Sequence, residues 1–370
     1  MIFLTGVTGF VGSNIAAYLL SEGHDLCVIS RDSKELDYQS RVFRAIKLTG
    51  YKINEQSINL HILKGDMTLP LLGLSQEELS WIKMRGITEL WHSAGSINFV
   101  DEEINKAVNV GGMKNLLSFM NEIEIEKVFY LGTAYADANK VAETYFQIDL
   151  PRFNNPYEET KTLSEEMLLA WGLENPQTQI TVFKPSIVVG DTELGKAFNF
   201  SGYYRFMQSF HFFRNNVLKE ANGKDINMPI NVLGHEKAEV NVIAVDYAID
   251  LMMKIRANEK TGVFPIVNNR APEYKNILQL GLNYLKIFGV EYLDGNERQK
   301  NSDKKMDRIE RMLHKAMRDY VPYVSWTYKW DLRPTIDACG GTFVSHPEVN
   351  QPFIDKMLGF AVENEFELSV

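Results

Sequence analysis

Three side chains have the types and spacing for proton and charge chemistry at a carbonyl: Thr133, Tyr157 and Lys161. Asn155-Pro156 reads as a helix start, so Tyr157 and Lys161, four residues apart, share one helix face. An ammonium beside a phenol favours the phenolate, and the spacing predicts a Tyr157 whose pKa Lys161 draws down toward neutrality, able both to give and to take a proton. Thr133 closes the strand-like run 127–133 and can hydrogen-bond the same carbonyl oxygen. A Tyr-x-x-x-Lys pattern is weak by itself, because 16 tyrosines in 370 residues make about one chance match expected. Its weight comes from following a Gly-Thr strand end.

A second constellation opens the chain. Residues 1–12, MIFLTGVTGFVG, run from β-prone residues into Gly6, Gly9 and Gly12 and then into the helix-periodic segment 13–20. If this is a dinucleotide cradle, Gly6 permits the turn, Gly9 admits the pyrophosphate and Gly12 lets helix and strand pack closely, with Thr5, Thr8, Phe10 and Val11 beside them. The helix N-terminus then offers free N–H groups to phosphate. The competing reading is a plain glycine turn between strand and helix. About 20 residues further on, where an acidic residue would hold a ribose 2′-hydroxyl, stand Ser30 and Arg31. A guanidinium there attracts a 2′-phosphate, which favours NADP(H), while Asp32 one place later keeps NAD(H) open. Arg41 can add charge; Arg44 reads as an ordinary solvated arginine. Asp66 and Met67 follow the next strand and are placed to meet the adenine. Ser93, Ala94 and Gly95 end the one after and let a cofactor pass. His92, on a buried strand, reads as a satisfied core residue.

These positions fall at successive strand ends. The first 135 residues alternate strand and helix without hairpin signals, which predicts an α/β fold: a Rossmann-type doubly wound parallel sheet with the ligand across the carboxyl ends of its strands. A sixth strand is expected at 181–183, and the alternation stops past Asp191. We read 1–192 as the dinucleotide-binding core, 193–239 as an aromatic insertion in the substrate region, 240–270 as a return to the core, and 271–370 as a smaller, mostly helical substrate subdomain. Asp246 is the expected N-cap of a helix, and helices are expected at 275–288, 303–319 and 351–363. The aromatic stretch 197–218 either lines an acyl tunnel, touches a membrane surface, or packs a core. The polar stretch 294–305 suggests a lid or loop, and Trp326, Tyr328 and Trp330 a half-buried extended segment. Gly340-Gly341 marks a turn, and a reactive thiol at Cys339 is the lesser reading because no basic partner is visible.

A formal net charge of −9 gives no basic field for nucleic acid or anionic lipid. Two distant cysteines, Cys27 and Cys339, make neither a disulfide framework nor a metal site, and a reducing cytosol is the expected setting. Nowhere does an apolar run reach the length of a membrane span.

In family order, TGVTGFVG (5–12), GDMT (65–68), HSAG (92–95), NVGGMKNLL (109–117), GTAY (132–135), YEETK (157–161), KPSIVVGD (184–191) and VNVIAVDYA (240–248) resemble the extended short-chain dehydrogenases/reductases. DMTLPLLGLS, HSAGSINF, GTAYAD and GVFPIVNN look most like the thioester-reductase and fatty-acyl-reductase branch. That resemblance implies NADPH-dependent reduction of an acyl thioester, on coenzyme A or a carrier protein, to an aldehyde and then optionally an alcohol. It makes Tyr157 the proton donor, Lys161 the holder of the nicotinamide ribose and Thr133 the second carbonyl ligand. Lys184, Pro185 and Ser186 would cross the nicotinamide end, and Asn109 would bend a helix or simply pack it. Two departures stand out: Gly132 precedes the threonine where relatives often carry Ser, and Lys184 replaces an arginine. The alternatives within the fold are a nucleotide-sugar epimerase, a ketone or hydroxysteroid dehydrogenase, and a non-catalytic NADP sensor. Oligomeric state is left open.

Overall fold

The computed structural model describes residues 1–53, 59–136, 138–144, 150–220, 226–293, 308–368 and 370. The polar stretch 294–305 lies outside the described residues.

Apolar runs become strands and amphipathic runs helices in strict alternation through the first third: β1 (Ile2–Thr5), α1 (Phe10–Ser21), β2 (Leu26–Ser30), α2 (Tyr38–Thr49), β3 (Leu60–Lys64), α3 (Gln76–Arg85), β4 (Ile87–His92), α4 (Glu102–Asn105), α5 (Gly112–Met120) and β5 (Ile125–Leu131). A π-helical stretch, Lys106–Gly111, joins α4 to α5. Then come β6 (Ala142–Thr144), α6 (Pro156–Glu174), β7 (Gln179–Pro185), β8 (Ile187–Val189), α7 (Tyr203–Glu220), β9 (Ile226–Leu233), β10 (Val242–Ala244), α8 (Val245–Ala257) and β11 (Gly262–Ile266). The chain continues through α9 (Tyr274–Leu285), β12 (Ile287–Leu293), α10 (Arg308–Met317), α11 (Val321–Ser325), β13 (Trp326–Tyr328), α12 (Arg333–Ala338) and α13 (Gln351–Glu363).

Seven strands form one sheet in the order β3-β2-β1-β4-β5-β7-β11, all pairs parallel. The order reverses between β1 and β4, and the carboxyl ends of those two strands open the crevice where such sheets bind ligands. Strands buried on both faces explain the unbroken apolar runs. One face carries Phe3, Leu90, Val128 and Tyr130 against Leu79, Met113, Phe119 and Leu168 of α3, α5 and α6. The other packs Leu4, Val28 and Trp91 against α1 and continues into the aromatic stretch.

That stretch is core. Phe198, Phe200, Tyr203, Tyr204, Phe206, Phe210 and Phe213 are buried, while Phe212 is open to solvent. Among the described residues no helix is long and apolar enough to cross a membrane.

Several expected boundaries shift. The helix expected at 275–288 ends at Leu285, where Lys286 turns into the left-handed region (φ 53°), and Ile287–Leu293 instead pairs with β9 in parallel. Only Ile287 and Phe288 of this strand fall within the expected helix, and its β-branched and aromatic residues suit a pleated neighbour better. Of the segment expected as helix over 303–319, residues 303–307 lie outside the described residues, Arg308–Met317 is helical, and Arg318–Tyr320 follows as a 3-10 turn. Asp246 does not cap α8; Ala244 occupies that position, and the Asp246 carboxylate accepts from the Thr192 backbone N–H at 3.1 Å instead. Trp326–Tyr328 is extended as expected, pairing antiparallel with β6, but all three of its residues are buried rather than alternate ones, because β13 lies inside an aromatic cluster with Tyr135 and Tyr323.

Candidate active site

The Gly6 turn is the floor of the crevice. Gly6 has φ +78°, and a Cβ there would fall 2.4 Å from the Ala94 backbone nitrogen; one on Gly12 would fall 2.2 Å from the Gly6 carbonyl oxygen. Turn, helix α1 and the end of β4 thus touch through backbone alone, a closeness only glycine permits. Gly9 is the N-cap of α1 and supplies no side-chain acceptor, so the first-turn N–H groups are left for a ligand, as a phosphate site requires. This donor set fits a pyrophosphate.

Two groups of side chains lie along the crevice. At its outer end, where β2 and β3 finish, Arg31 pairs with Asp66 at 3.4 Å. Arg41, reaching over from α2, donates to the Arg31 carbonyl at 2.7 Å and lies 3.5 Å from the Thr8 hydroxyl. Asp32 faces elsewhere: its carboxylate binds Lys64 at 2.7 Å and accepts from the Tyr38 N–H at 2.9 Å. Ser30 is buried beneath them. Met67 is buried as well, and its carbonyl accepts from the Asn115 amide at 2.9 Å.

At the inner end, Gly9, Phe10, Val11, Ser93, Gly95, Thr133, Tyr157, Lys161, Pro185 and Ser186 line one cleft of about 1180 Å³, counting its open mouth. The strand end after β5 is pinned to β7 by Gly132 N–H to Phe183 O (2.8 Å) and Ala134 N–H to Pro185 O (2.9 Å). Between these two bonds Thr133 is left to face α6. That helix is capped by Asn155, whose side chain accepts from the Glu158 N–H at 3.0 Å, with Pro156 in its first turn. Tyr157 therefore sits in the first turn and Lys161 one turn below it.

The electrostatics differ from the sequence expectation. Lys161 does not draw the Tyr157 pKa down. Its ammonium donates to the Leu131 carbonyl at 2.6 Å and lies 4.4 Å from the centre of the Tyr130 ring, not against the phenol. Burial pushes the Tyr157 phenol up to about 12, against a hydrogen bond with Thr133 that pulls the other way. Burial likewise pushes Lys161 down to about 7, Glu165 opposing. In a low-dielectric crevice each group prefers its neutral form, so Tyr157 is a hydrogen-bond donor throughout the neutral range.

The remaining predicted positions support the cleft from behind. Thr5 is fully buried and its hydroxyl bonds His92 Nδ1 at 2.7 Å; burial drives His92 down to about 3, the satisfied core histidine that its strand context suggested. Asn109 lies in the π-helical stretch. Its side chain accepts from the Ser96 N–H at 2.8 Å and donates to the Ser96 carbonyl at 3.1 Å and the Thr160 hydroxyl at 3.0 Å, tying the loop after β4 to α6. Lys184 turns away from the cleft into a largely buried ion pair with Glu165 at 3.1 Å. Cys339 is buried and its thiol pushed up, which leaves the reactive-thiol reading without support.

The sequence missed the far wall of the cleft: Phe99, Tyr320 and Tyr323. Phe99 stands 6.0 Å from the Tyr157 ring and 5.7 Å from both Tyr320 and Tyr323. Glu158 was missed too. Its buried carboxylate accepts from Tyr323 at 2.5 Å and from the Asn154 N–H at 2.8 Å. No motif marks these residues, which meet only through tertiary structure; the one available hint was a carboxylate following Tyr157 on the same helix.

A parallel sheet with its switch point at a glycine cradle, and a Thr-Tyr-Lys cleft beyond it, define a dinucleotide-dependent oxidoreductase of the extended short-chain class. Residues 4–252 match the family model described as male sterility protein, NAD-binding, and the chain belongs to that family. It is 28% identical over 228 residues to the fatty acyl-CoA reductase wat of Drosophila melanogaster, covering 51% of this chain and 43% of that one. It is 27% identical over 206 residues to peramine synthetase ppzA of Metarhizium majus, covering 53% of this chain and 7% of that protein. The chain thus spans less than half the length of these curated relatives. Among solved structures, the terminal R domain of the myxalamid PKS-NRPS pathway superposes with a TM-score of 0.76 at 19% identity, covering 99% of this chain and 91% of the other. UDP-glucuronic acid 4-epimerase of Bacillus cereus, solved with NAD, superposes at 0.65 and 15% identity, covering 98% and 99%; both likenesses concern the fold.

Proposed function

We propose that the protein is an NADPH-dependent reductase of acyl thioesters, with Thr133, Tyr157 and Lys161 as its working residues. The observation that carries this is the convergence of a protonated Tyr157, Thr133 and Lys161 on one cleft whose far wall is aromatic. The likeness to a fatty acyl-CoA reductase, a name that itself specifies an acyl thioester, supports the thioester.

The reduced nicotinamide, when bound, supplies the hydride. Thr133 and Tyr157 donate hydrogen bonds to the thioester carbonyl oxygen, and their dipoles stabilise the negative charge that forms there. Tyr157, held neutral by burial, hands its proton toward that oxygen as charge develops and recovers it when the adduct collapses. Collapse breaks the C–S bond; the thiolate leaves, takes a proton from solvent, and an aldehyde remains. Lys161 would hold the ribose hydroxyls with its ammonium, released for that task from the Leu131 carbonyl.

Preference for NADPH rests on Arg41 beside Thr8, on Arg31 at the end of β2, and on an Asp32 already occupied by Lys64 and the Tyr38 N–H. The thioester arrives on coenzyme A or on a carrier protein. Two free, buried cysteines agree with a reducing cytosol, which we propose as the setting. The test is incubation with NADPH and acyl-CoAs, trapping the aldehyde and counting released thiol: one of each per NADPH is expected. Tightly retained NAD with no thioester turnover would favour the epimerase reading instead.

A further inference from the structure

Beside the cleft is a second, much smaller pocket, about 360 Å³ counting the space open to solvent, whose accessible lining is apolar, from Tyr203, Phe206, Val240, Tyr274, Ile277, Leu278 and Val324 among others. It adjoins the cleft at four residues that line both: Ile187, Gly202, Tyr320 and Tyr323. Rings trace the path. From Tyr157 the contacts run to Phe99 (6.0 Å), Tyr320 (5.7 Å), Phe206 (6.3 Å) and Tyr274 (6.1 Å).

The joint is built rather than accidental. The Tyr323 hydroxyl donates to the buried Glu158 carboxylate and accepts from the Asn155 amide at 2.7 Å, so its ring is held at one side of the opening by the helix that carries Tyr157. Gly202, which lines both pockets as well, has φ +57° and no side chain; a Cβ there would fall 2.8 Å from Ile187 Cγ2.

Resting on the thioester-reductase reading, we infer that this second cavity is the end pocket for an aliphatic acyl tail, which passes from Thr133 and Tyr157 past Tyr323 and Gly202 into the space bounded by Ile277 and Val324. A dry apolar pocket gains from every methylene it covers and offers nothing to a charged or amide-bearing group, whose desolvation would go unrepaid. The pocket thereby selects a fatty acyl substrate against an aminoacyl or peptidyl one, and its small size makes turnover sensitive to chain length.

The test is kcat/KM with NADPH and butyryl-, octanoyl-, palmitoyl- and alanyl-CoA for the wild type and two variants. Ile277→Phe fills the pocket; Val324→Ala enlarges it and stands in if the first variant does not fold. Octanoyl-CoA is expected to exceed alanyl-CoA by more than about tenfold, Ile277→Phe to lower the octanoyl-to-butyryl ratio about tenfold, and Val324→Ala to raise the palmitoyl-to-octanoyl ratio, since pocket contacts of one or a few methylenes carry effects of about that size. Turnover by the wild type with chain-length ratios that neither variant moves, or with alanyl-CoA equal to octanoyl-CoA, overturns the pocket and leaves the reductase standing. Absence of NADPH consumption with all four CoA esters and with octanoyl loaded on an acyl carrier protein overturns both.

Discussion

The chemistry at residue scale is set by burial more than by pairing. Tyr157 and Lys161 share a helix face, yet the ammonium faces Leu131 O and the Tyr130 ring, and both groups are displaced toward neutrality. For a reductase this is useful, since the oxygen of the substrate needs a donor and not a base. Tyr157→Phe should lower kcat about 10²–10⁴-fold while NADPH binding, followed by fluorescence, stays intact; full activity in that variant would remove Tyr157 from the mechanism. The lysine makes a pH prediction. Its folded pKa is about 7, so it is charged below that value and neutral above it. If the ammonium grips the ribose, NADPH affinity of the free enzyme falls as pH rises from about 7, and Lys161→Met loses that dependence. A wild-type affinity that stays flat across neutral pH would show that the charge does not contribute. Arg41 predicts cofactor choice: Arg41→Ala should weaken NADPH binding about tenfold or more, the worth of one strong charged contact, and leave NADH binding nearly unchanged in titrations with each.

Among elements, the ones that position the site divide into those that announce themselves and those that do not. β1, the glycine turn and α1 were legible because Gly6 and Gly12 have no substitute: a Cβ on either would fall 2.4 or 2.2 Å from a backbone atom. The first five strands were legible because parallel strands buried on both faces must be apolar throughout. Ile287–Leu293 was not: a short apolar run beside a helix reads either way, and only its partner β9 decides it. The cap of α8 was misassigned because Asp246 finds a tertiary partner in Thr192. Asn109 was legible as a residue of interest but not as the clasp between Ser96 and Thr160. Asn109→Ala leaves the Ser96 N–H without its acceptor and should cost about 1–3 kcal/mol, measured as a lower urea midpoint. His92 adds a linkage effect. Its pKa is depressed from 6.5 to about 3 on folding, so the unfolded chain binds more protons between those values and stability falls as pH drops below about 6.5, by up to about 1.4 kcal/mol per pH unit. Urea midpoints at descending pH should fall more steeply for the wild type than for His92→Gln.

Taken whole, the molecule joins a legible half to a less legible one. The cradle and the Thr-Tyr-Lys cleft could be read along the chain since each lies at a strand end in sequence order. The acyl-side wall could not, because Tyr323 meets Asn155 and Glu158 across 168 and 165 residues, and its neighbours Tyr203, Phe206 and Tyr274 look like any core aromatics until the cavity between them is seen. The aromatic stretch is thus core by burial and lining by position, at Tyr203 and Phe206. The central claim is that hydride passes to a thioester carbonyl held by Thr133 and Tyr157. Its most direct measurement is mass spectrometry of the aldehyde formed from octanoyl-CoA with NADPH deuterated at nicotinamide C4. The account predicts one deuterium at the aldehyde carbon for the wild type and labelled product formed about 10²–10⁴-fold more slowly with Tyr157→Phe. Consumption of the cofactor without label at that carbon, or no aldehyde from any acyl thioester, would contradict it.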